Sequence, residues 1–104
     1  MNNRFGKLVF KFEAEIWRYN GPAAWHFISL PTAMSKNISQ LFADQRRGWG
    51  SLPVIVTSGL VTWNTSIFPD KKRDSYLLPV KKIILLELDL LPSDKATFEL
   101  IINV

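Results

Sequence analysis

Two Leu-Pro pairs constrain this chain more than any other feature. Leu30-Pro31 and Leu78-Pro79 each follow a short aromatic, β-prone stretch, and each precedes a segment with apolar residues at helical spacing. Proline lacks the N–H that a continuing ladder needs, and its fixed φ suits the start of a helix. Both pairs therefore predict strand-to-helix junctions. The surroundings repeat as well. Trp25 to Ile38 reads strand, Leu-Pro, helix, with Ile38 seven positions beyond the proline; Tyr76 to Leu86 does the same, with Leu86 seven positions beyond. A strand follows each helix after a loop. Two copies of one strand–helix–strand unit predict halves related by a pseudo-two-fold axis.

The rest of the chain fits that frame. Residues 8–17, LVFKFEAEIW, alternate apolar and charged side chains, which predicts a half-buried strand. Tyr19-Asn20-Gly21-Pro22 signals a turn, and residues 24–30 form a second strand. Met34, Ile38, Leu41 and Phe42 share a helix face that Thr32 or Ser35 would cap. Residues 52–58 and 60–68 are β-branched and aromatic, with Gly59 at the hairpin turn between them. Tyr76-Leu77-Leu78 is a short strand, residues 80–91 predict a three-turn helix, and residues 95–104 close as a strand. The fold expected is mainly β: a six-stranded, swapped-hairpin-like pseudo-barrel, internally duplicated, with two helices covering its ends. Large aromatics are expected to fill the inside of so small a barrel, and of Trp17, Trp25, Trp49 and Trp63 it is Trp63 that is expected in the core or wall.

At 104 residues the chain supports one domain, 1–104. Its 47% apolar and 21% charged composition excludes disorder. The lack of cysteine excludes a disulfide scaffold, a zinc-thiolate site and a thiol nucleophile. No apolar run reaches the roughly 18–20 residues that span a bilayer, and charges interrupt any signal-like N-terminal stretch. A cytoplasmic protein without membrane contact is expected.

Catalytic constellations are sparse. The sole histidine, His26, sits between Trp25 and Phe27 in a strand, as a structural residue would. Glu13 and Glu15 share a strand face with Lys11, which reads as a solvated surface rather than an acid–base pair. No metal-ligand spacing and no phosphate-binding glycine loop is visible. The expectation is a non-enzymatic binding or accessory module with no metal and no cofactor. The basic loops are the informative part. Arg46 and Arg47 precede Trp49, which stands between two glycines; Lys71, Lys72 and Arg73 follow Pro69. Arginine beside an exposed indole suits phosphate contact with base stacking. These six residues are the candidate site for nucleic acid or another polyanion, unless Trp49 folds down as a lid on the core. Asp44, Asp70 and Asp74 lie in the same loops, and the net charge is only +4. A tryptophan-lined small-molecule pocket is the other alternative.

The second helix carries more aliphatic residues than one buried stripe accommodates. On a regular helix over 80–91, Val80, Ile83, Leu86, Leu90 and Leu91 turn toward the barrel, Ile84 and Leu88 flank them, and Leu85 lies farther round. Ile84, Leu85 and Leu88 are therefore the candidate interface for a homodimer or partner.

Several motifs together resemble a known family. They are Thr65-Ser66-Ile67-Phe68-Pro69-Asp70-Lys71, then Ser75-Tyr76-Leu77-Leu78-Pro79-Val80-Lys81-Lys82, with Trp25-His26-Phe27, Leu30-Pro31 and Arg47-Gly48-Trp49-Gly50-Ser51 upstream. The chain resembles, from about Phe12 to Phe98, a bacterial family named domain of unknown function 1905. The resemblance implies a six-stranded pseudo-barrel whose half-unit is similar to the swapped-hairpin barrel of AbrB-type DNA-binding regulators; it implies no catalytic residues. Two positions depart from the family pattern. Asp74 and Ser93 stand where glycine is usual, and a left-handed backbone in the turn at Ser93 would lose its natural residue.

Overall fold

Alternation along the first segment produces β1, Val9–Glu15, in which Phe10 and Phe12 turn inward while Lys11, Glu13 and Glu15 stay exposed. The computed structural model describes residues 8–21 and 25–104. The first segment does not run on as one strand. It breaks at Ile16, which is 1% exposed; its N–H donates to Asp94 O at 2.9 Å and its carbonyl accepts from Ser93 N–H at 2.8 Å. Beyond that corner lies β2, Trp17–Arg18, which pairs with β3, His26–Ser29.

After β3 come α1, Thr32–Leu41, then β4, Leu52–Ser58, and β5, Val61–Asp70. The second half continues with β6, Ser75–Pro79, α2, Lys82–Leu88, and β7, Lys95–Ile102. All pairings are antiparallel, in the order β1-β7-β4-β5-β6-β3-β2. The two ends of that order are consecutive pieces of one bent segment, so the sheet curls back toward itself. Counted separately they make seven strands; counted as one segment they make the six expected. A second corner lies in β5, where Val61–Ile67 pairs with β4 and Phe68–Asp70 with β6. The hairpin before it turns on Gly59, whose φ of 56° is the left-handed value a tight turn demands.

The ladder registers fit the expected duplication. Leu30 and Leu78, Ser29 and Leu77, and Val54 and Ile102 are separated by the same number of positions. Ser29 faces Leu77 directly in the β3–β6 ladder, and Val54 faces Ile102 in the β4–β7 ladder. An axis relating two copies must pass between such self-paired positions, and both ladders yield the same offset.

The junctions also differ. Pro31 is the N-cap of α1, as expected, but no side-chain hydrogen bond from the described residues caps this helix. Ser35 is buried instead, and its Oγ accepts the Tyr76 N–H at 3.0 Å. Pro79 remains the last residue of β6, and α2 starts only after Lys81. Val80 is held in the ladder by its N–H to His26 O at 2.9 Å. At the other end Asp89 is left-handed and stops the helix. The second helix therefore spans 82–88 rather than 80–91.

The core is aliphatic and phenylalanine-rich: Ile28, Ile38, Leu52, Ile67, Leu78, Phe98 and Leu100 are fully buried. Tryptophan does not fill it, contrary to the expectation that large aromatics occupy the inside, although Trp63 takes the wall position expected of it. Trp25 and Trp49 are exposed, Trp17 is half-buried, and Trp63 packs against the core from its margin. Alternation explains this for Trp17, which faces Phe27 across the β2–β3 ladder, on the side of the sheet opposite Ile28. Among the described residues no helix is long and apolar enough to cross a membrane.

Candidate functional site: a basic pocket

The connection from α1 to β4 carries the first pair of arginines. Phe42 leaves the helix, Ala43–Gln45 makes one tight turn, and Gly48–Gly50 makes another. Three short bonds tie the second turn. Arg47 N–H donates to Ser51 O at 2.7 Å, Gly50 N–H to Arg47 O at 3.0 Å, and Ser51 N–H to Gly48 O at 3.1 Å. Inside that ring Trp49 has a φ of 61°, a conformation costly for a bulky side chain. Gly50 is left-handed too, and a Cβ there would sit 3.1 Å from Pro69 Cγ. The loop thus presses against β5 and holds its indole outward: Trp49 is 91% exposed, not a lid on the core.

The second basic loop, residues 71–74, joins β5 to β6. Asp70 organises it, accepting Lys72 N–H at 3.2 Å and pairing with Arg73 Nη1 at 2.9 Å. Asp74 closes the turn with a φ of 53°, left-handed where the family pattern places glycine. Arg73 also lies over the Trp17 ring, 4.4 Å from its centroid. Its guanidinium is therefore engaged by a carboxylate and an indole. Arg73 is thus the one candidate cation of this loop with a carboxylate and an indole as neighbours, and it lies outside the walls of the pocket described next.

The two loops meet. A pocket of about 450 Å³ lies between α1, the first loop and the β5–β6 turn, with Arg46, Lys71 and Lys36 among its walls. Asp70 and Asp74 line it too, so its charge is mixed. Arg46 Nη2 is steadied by Ser39 Oγ at 3.1 Å. Ser75 borders the same pocket; it is 8% exposed, and its Oγ has no hydrogen-bond partner among the described residues. Arg47, Trp49 and Lys72 are exposed but lie outside the pocket walls. Sequence reasoning missed Lys36 and Ser39. Their spacing of three on α1 puts them on one face, but nothing local says which loop that face meets.

The candidate interface on α2 is corrected more sharply. Leu85 is 4% exposed and belongs to the core, while Ile84 and Leu88 are half-buried against it or beside it. Ile83, Leu86 and Leu91 point outward instead. The three residues named from sequence therefore form no exposed face, because the helix starts later than the proline suggested and is rotated accordingly.

No curated protein matches the chain. A family model described as "Domain of unknown function (DUF1905)" matches residues 12–100, from within β1 to near the end of β7. That span takes in both Leu-Pro junctions, both basic loops and both bends of the sheet, so the chain belongs to the DUF1905 family.

Proposed function

We propose that this chain is a non-enzymatic binding module of the bacterial cytoplasm whose basic rim holds single-stranded nucleic acid. One observation carries the reading: an indole held out into solvent at a left-handed backbone position, next to Arg47 and on the loop that brings Arg46 to Lys71. An exposed tryptophan is a stacking platform, and flanking cations follow the phosphates. A single strand suits this geometry better than a duplex. The indole sits on a tight loop rather than on a helix or two-stranded ribbon of the kind that enters a major groove.

The test is fluorescence anisotropy with a labelled single-stranded oligonucleotide, titrated at rising salt. If Arg46, Arg47, Lys71 and Lys72 each neutralise one phosphate, the log–log slope is about −2.8, from roughly 0.7 per contact on single strands. Affinity then falls about 50-fold between about 50 and 200 mM salt. Replacing the four cations by Ala flattens the slope. Absence of binding at about 50 mM salt, where even non-specific contacts form, would sink the proposal.

A further inference from the structure

A second concavity lies on the outer face of the sheet, away from the barrel interior. It encloses about 620 Å³, within the usual range for small-ligand sites. Trp25 and Phe27, Phe68, and Leu77 and Pro79 wall it from three neighbouring strands, with Lys81 and Lys82 at its end. Register explains why these side chains share a face. Phe27 is opposite Pro79 and Phe68 is opposite Leu77, while their chain neighbours Ile28, Ile67 and Leu78 are fully buried on the other side. The core does not need this outer apolar layer.

The wall is held in place before any ligand arrives. Phe27 lies 5.2 Å from Trp17, and Trp25 meets Phe27 edge-on at 6.3 Å. Trp17 is fixed by its N–H to Ser29 Oγ at 3.1 Å and is covered by the Arg73 guanidinium. This is a second use for a cation that does not serve the basic pocket. Trp25 is nevertheless 60% exposed, so its ring remains available. Charge is one-sided: Lys81 and Lys82 line the groove, and among the described residues no Asp or Glu does.

We propose that this groove binds a small planar aromatic carboxylate. Its ring packs against Trp25, Phe27 and Phe68, for which offset or edge-to-face contact favours another aromatic system. Its carboxylate reaches the ammonium groups of Lys81 and Lys82, a charge-assisted contact at the margin of an apolar surface. An amine would meet two positive charges with no acceptor carboxylate.

The probe is 2-naphthoate, titrated into the full chain by calorimetry and by quenching of tryptophan emission. 2-Naphthylmethanol is the neutral comparator and octanoate the non-aromatic one. Naphthoate should bind about tenfold more tightly than either, the scale of one hydrogen bond to a charged group. Lys81→Gln/Lys82→Gln should lose that tenfold preference while binding naphthylmethanol as the wild type does. Phe68→Ala, at an exposed position, should weaken both aromatic ligands. Arg46→Ala/Arg47→Ala should leave naphthoate unchanged, which separates this site from the nucleic-acid rim. Failure to bind naphthoate at about 1 mM overturns the proposal. So does equal binding of octanoate, or a Lys81→Gln/Lys82→Gln variant that keeps the preference.

Discussion

The two halves of the molecule share one plan and differ in the connection that leaves the helix. In the first half, ten residues separate α1 from β4, and they carry Arg46, Arg47 and Trp49. In the second half, six residues separate α2 from β7, and they are spent on structure. There Leu91 N–H bonds Asp94 Oδ2 at 2.8 Å, while Ser93 and Asp94 lock onto Ile16 at the corner between β1 and β2. One copy of the connection stitches the sheet together, and the other is free to display side chains. Duplicated folds can divide labour this way because the ladders already hold the halves together, so only one of the two connections is drawn into the stitching.

Counting from the N-caps restores the symmetry that counting from the prolines loses. Ser35 and Ile38 are four and seven positions beyond Pro31, and both are buried. Leu85 and Leu88 are four and seven beyond Lys81; the first is buried and the second half-buried. The two residues between Pro79 and the helix, Val80 and Lys81, delay α2 and turn its faces by roughly 200° relative to the proline count. The sharpest way to break this equivalence is at its buried positions. Ile38→Ala and Leu85→Ala should each cost about 2–4 kcal/mol, whereas Leu86→Ala should change stability by less than about 0.5 kcal/mol. Urea melts of the three variants check it. A large loss at Leu86 would restore the proline-based phase.

The loop of the first half gives the next largest effect. Gly50→Ala places a methyl group 3.1 Å from Pro69 Cγ at a left-handed φ. It should cost about 1–2 kcal/mol and loosen the platform under Trp49. Trp49→Ala should leave stability within about 0.5 kcal/mol, since the indole is solvent-exposed, yet weaken oligonucleotide binding by about 1–3 kcal/mol. Thermal melts paired with anisotropy separate the two. If Trp49→Ala destabilises the fold and spares binding, the loop belongs to the structural class, like its counterpart in the second half.

These contrasts show what could be read from residues alone. Leu30-Pro31 and Leu78-Pro79 marked the duplicated frame because proline acts locally, on its own φ and its missing N–H. The break at Ile16 was invisible, since it is made by Ser93 and Asp94 from the far end of the chain. The basic loops were legible as composition, but that Arg46 and Lys71 line one pocket with Lys36 depends on how the loops fold against α1. The engagement of Arg73 with Trp17 was not legible, because the two residues lie on different strands of the curled sheet or the loop beside it. Tryptophan placement failed for a related reason: alternation assigns faces, but only ladder partners say which face is inside. Trp17 and Phe27 are bulky and apolar, yet their register puts them on the outer side of the sheet, opposite Ile28.

The smallest expected effects lie at two further left-handed positions, Ser93 in the connection from α2 to β7 and Asp74 in the β5–β6 turn. Ser93 has a φ of 81° and Asp74 a φ of 53°. A left-handed conformation costs an L-residue about 1–2 kcal/mol, less for Asp, whose side chain tolerates it. Glycine removes that cost but gives back part of the gain through its freer unfolded chain. Ser93→Gly should therefore stabilise the protein by about 0.5–1 kcal/mol, raising Tm by about 2–8 °C for a domain of this size. Ser93→Ala keeps the Cβ and should gain nothing. Asp74→Gly should stabilise less, but it also removes a carboxylate from the pocket lined by Arg46 and Lys71. Its second readout is tighter oligonucleotide binding, by about 0.2–1 kcal/mol for one exposed charge, fading as salt rises. Ser93→Gly, in the structural connection, should leave binding where it was. A matching change in affinity for both variants would mean that the α2–β7 connection and the β5–β6 turn are coupled through the sheet rather than independent.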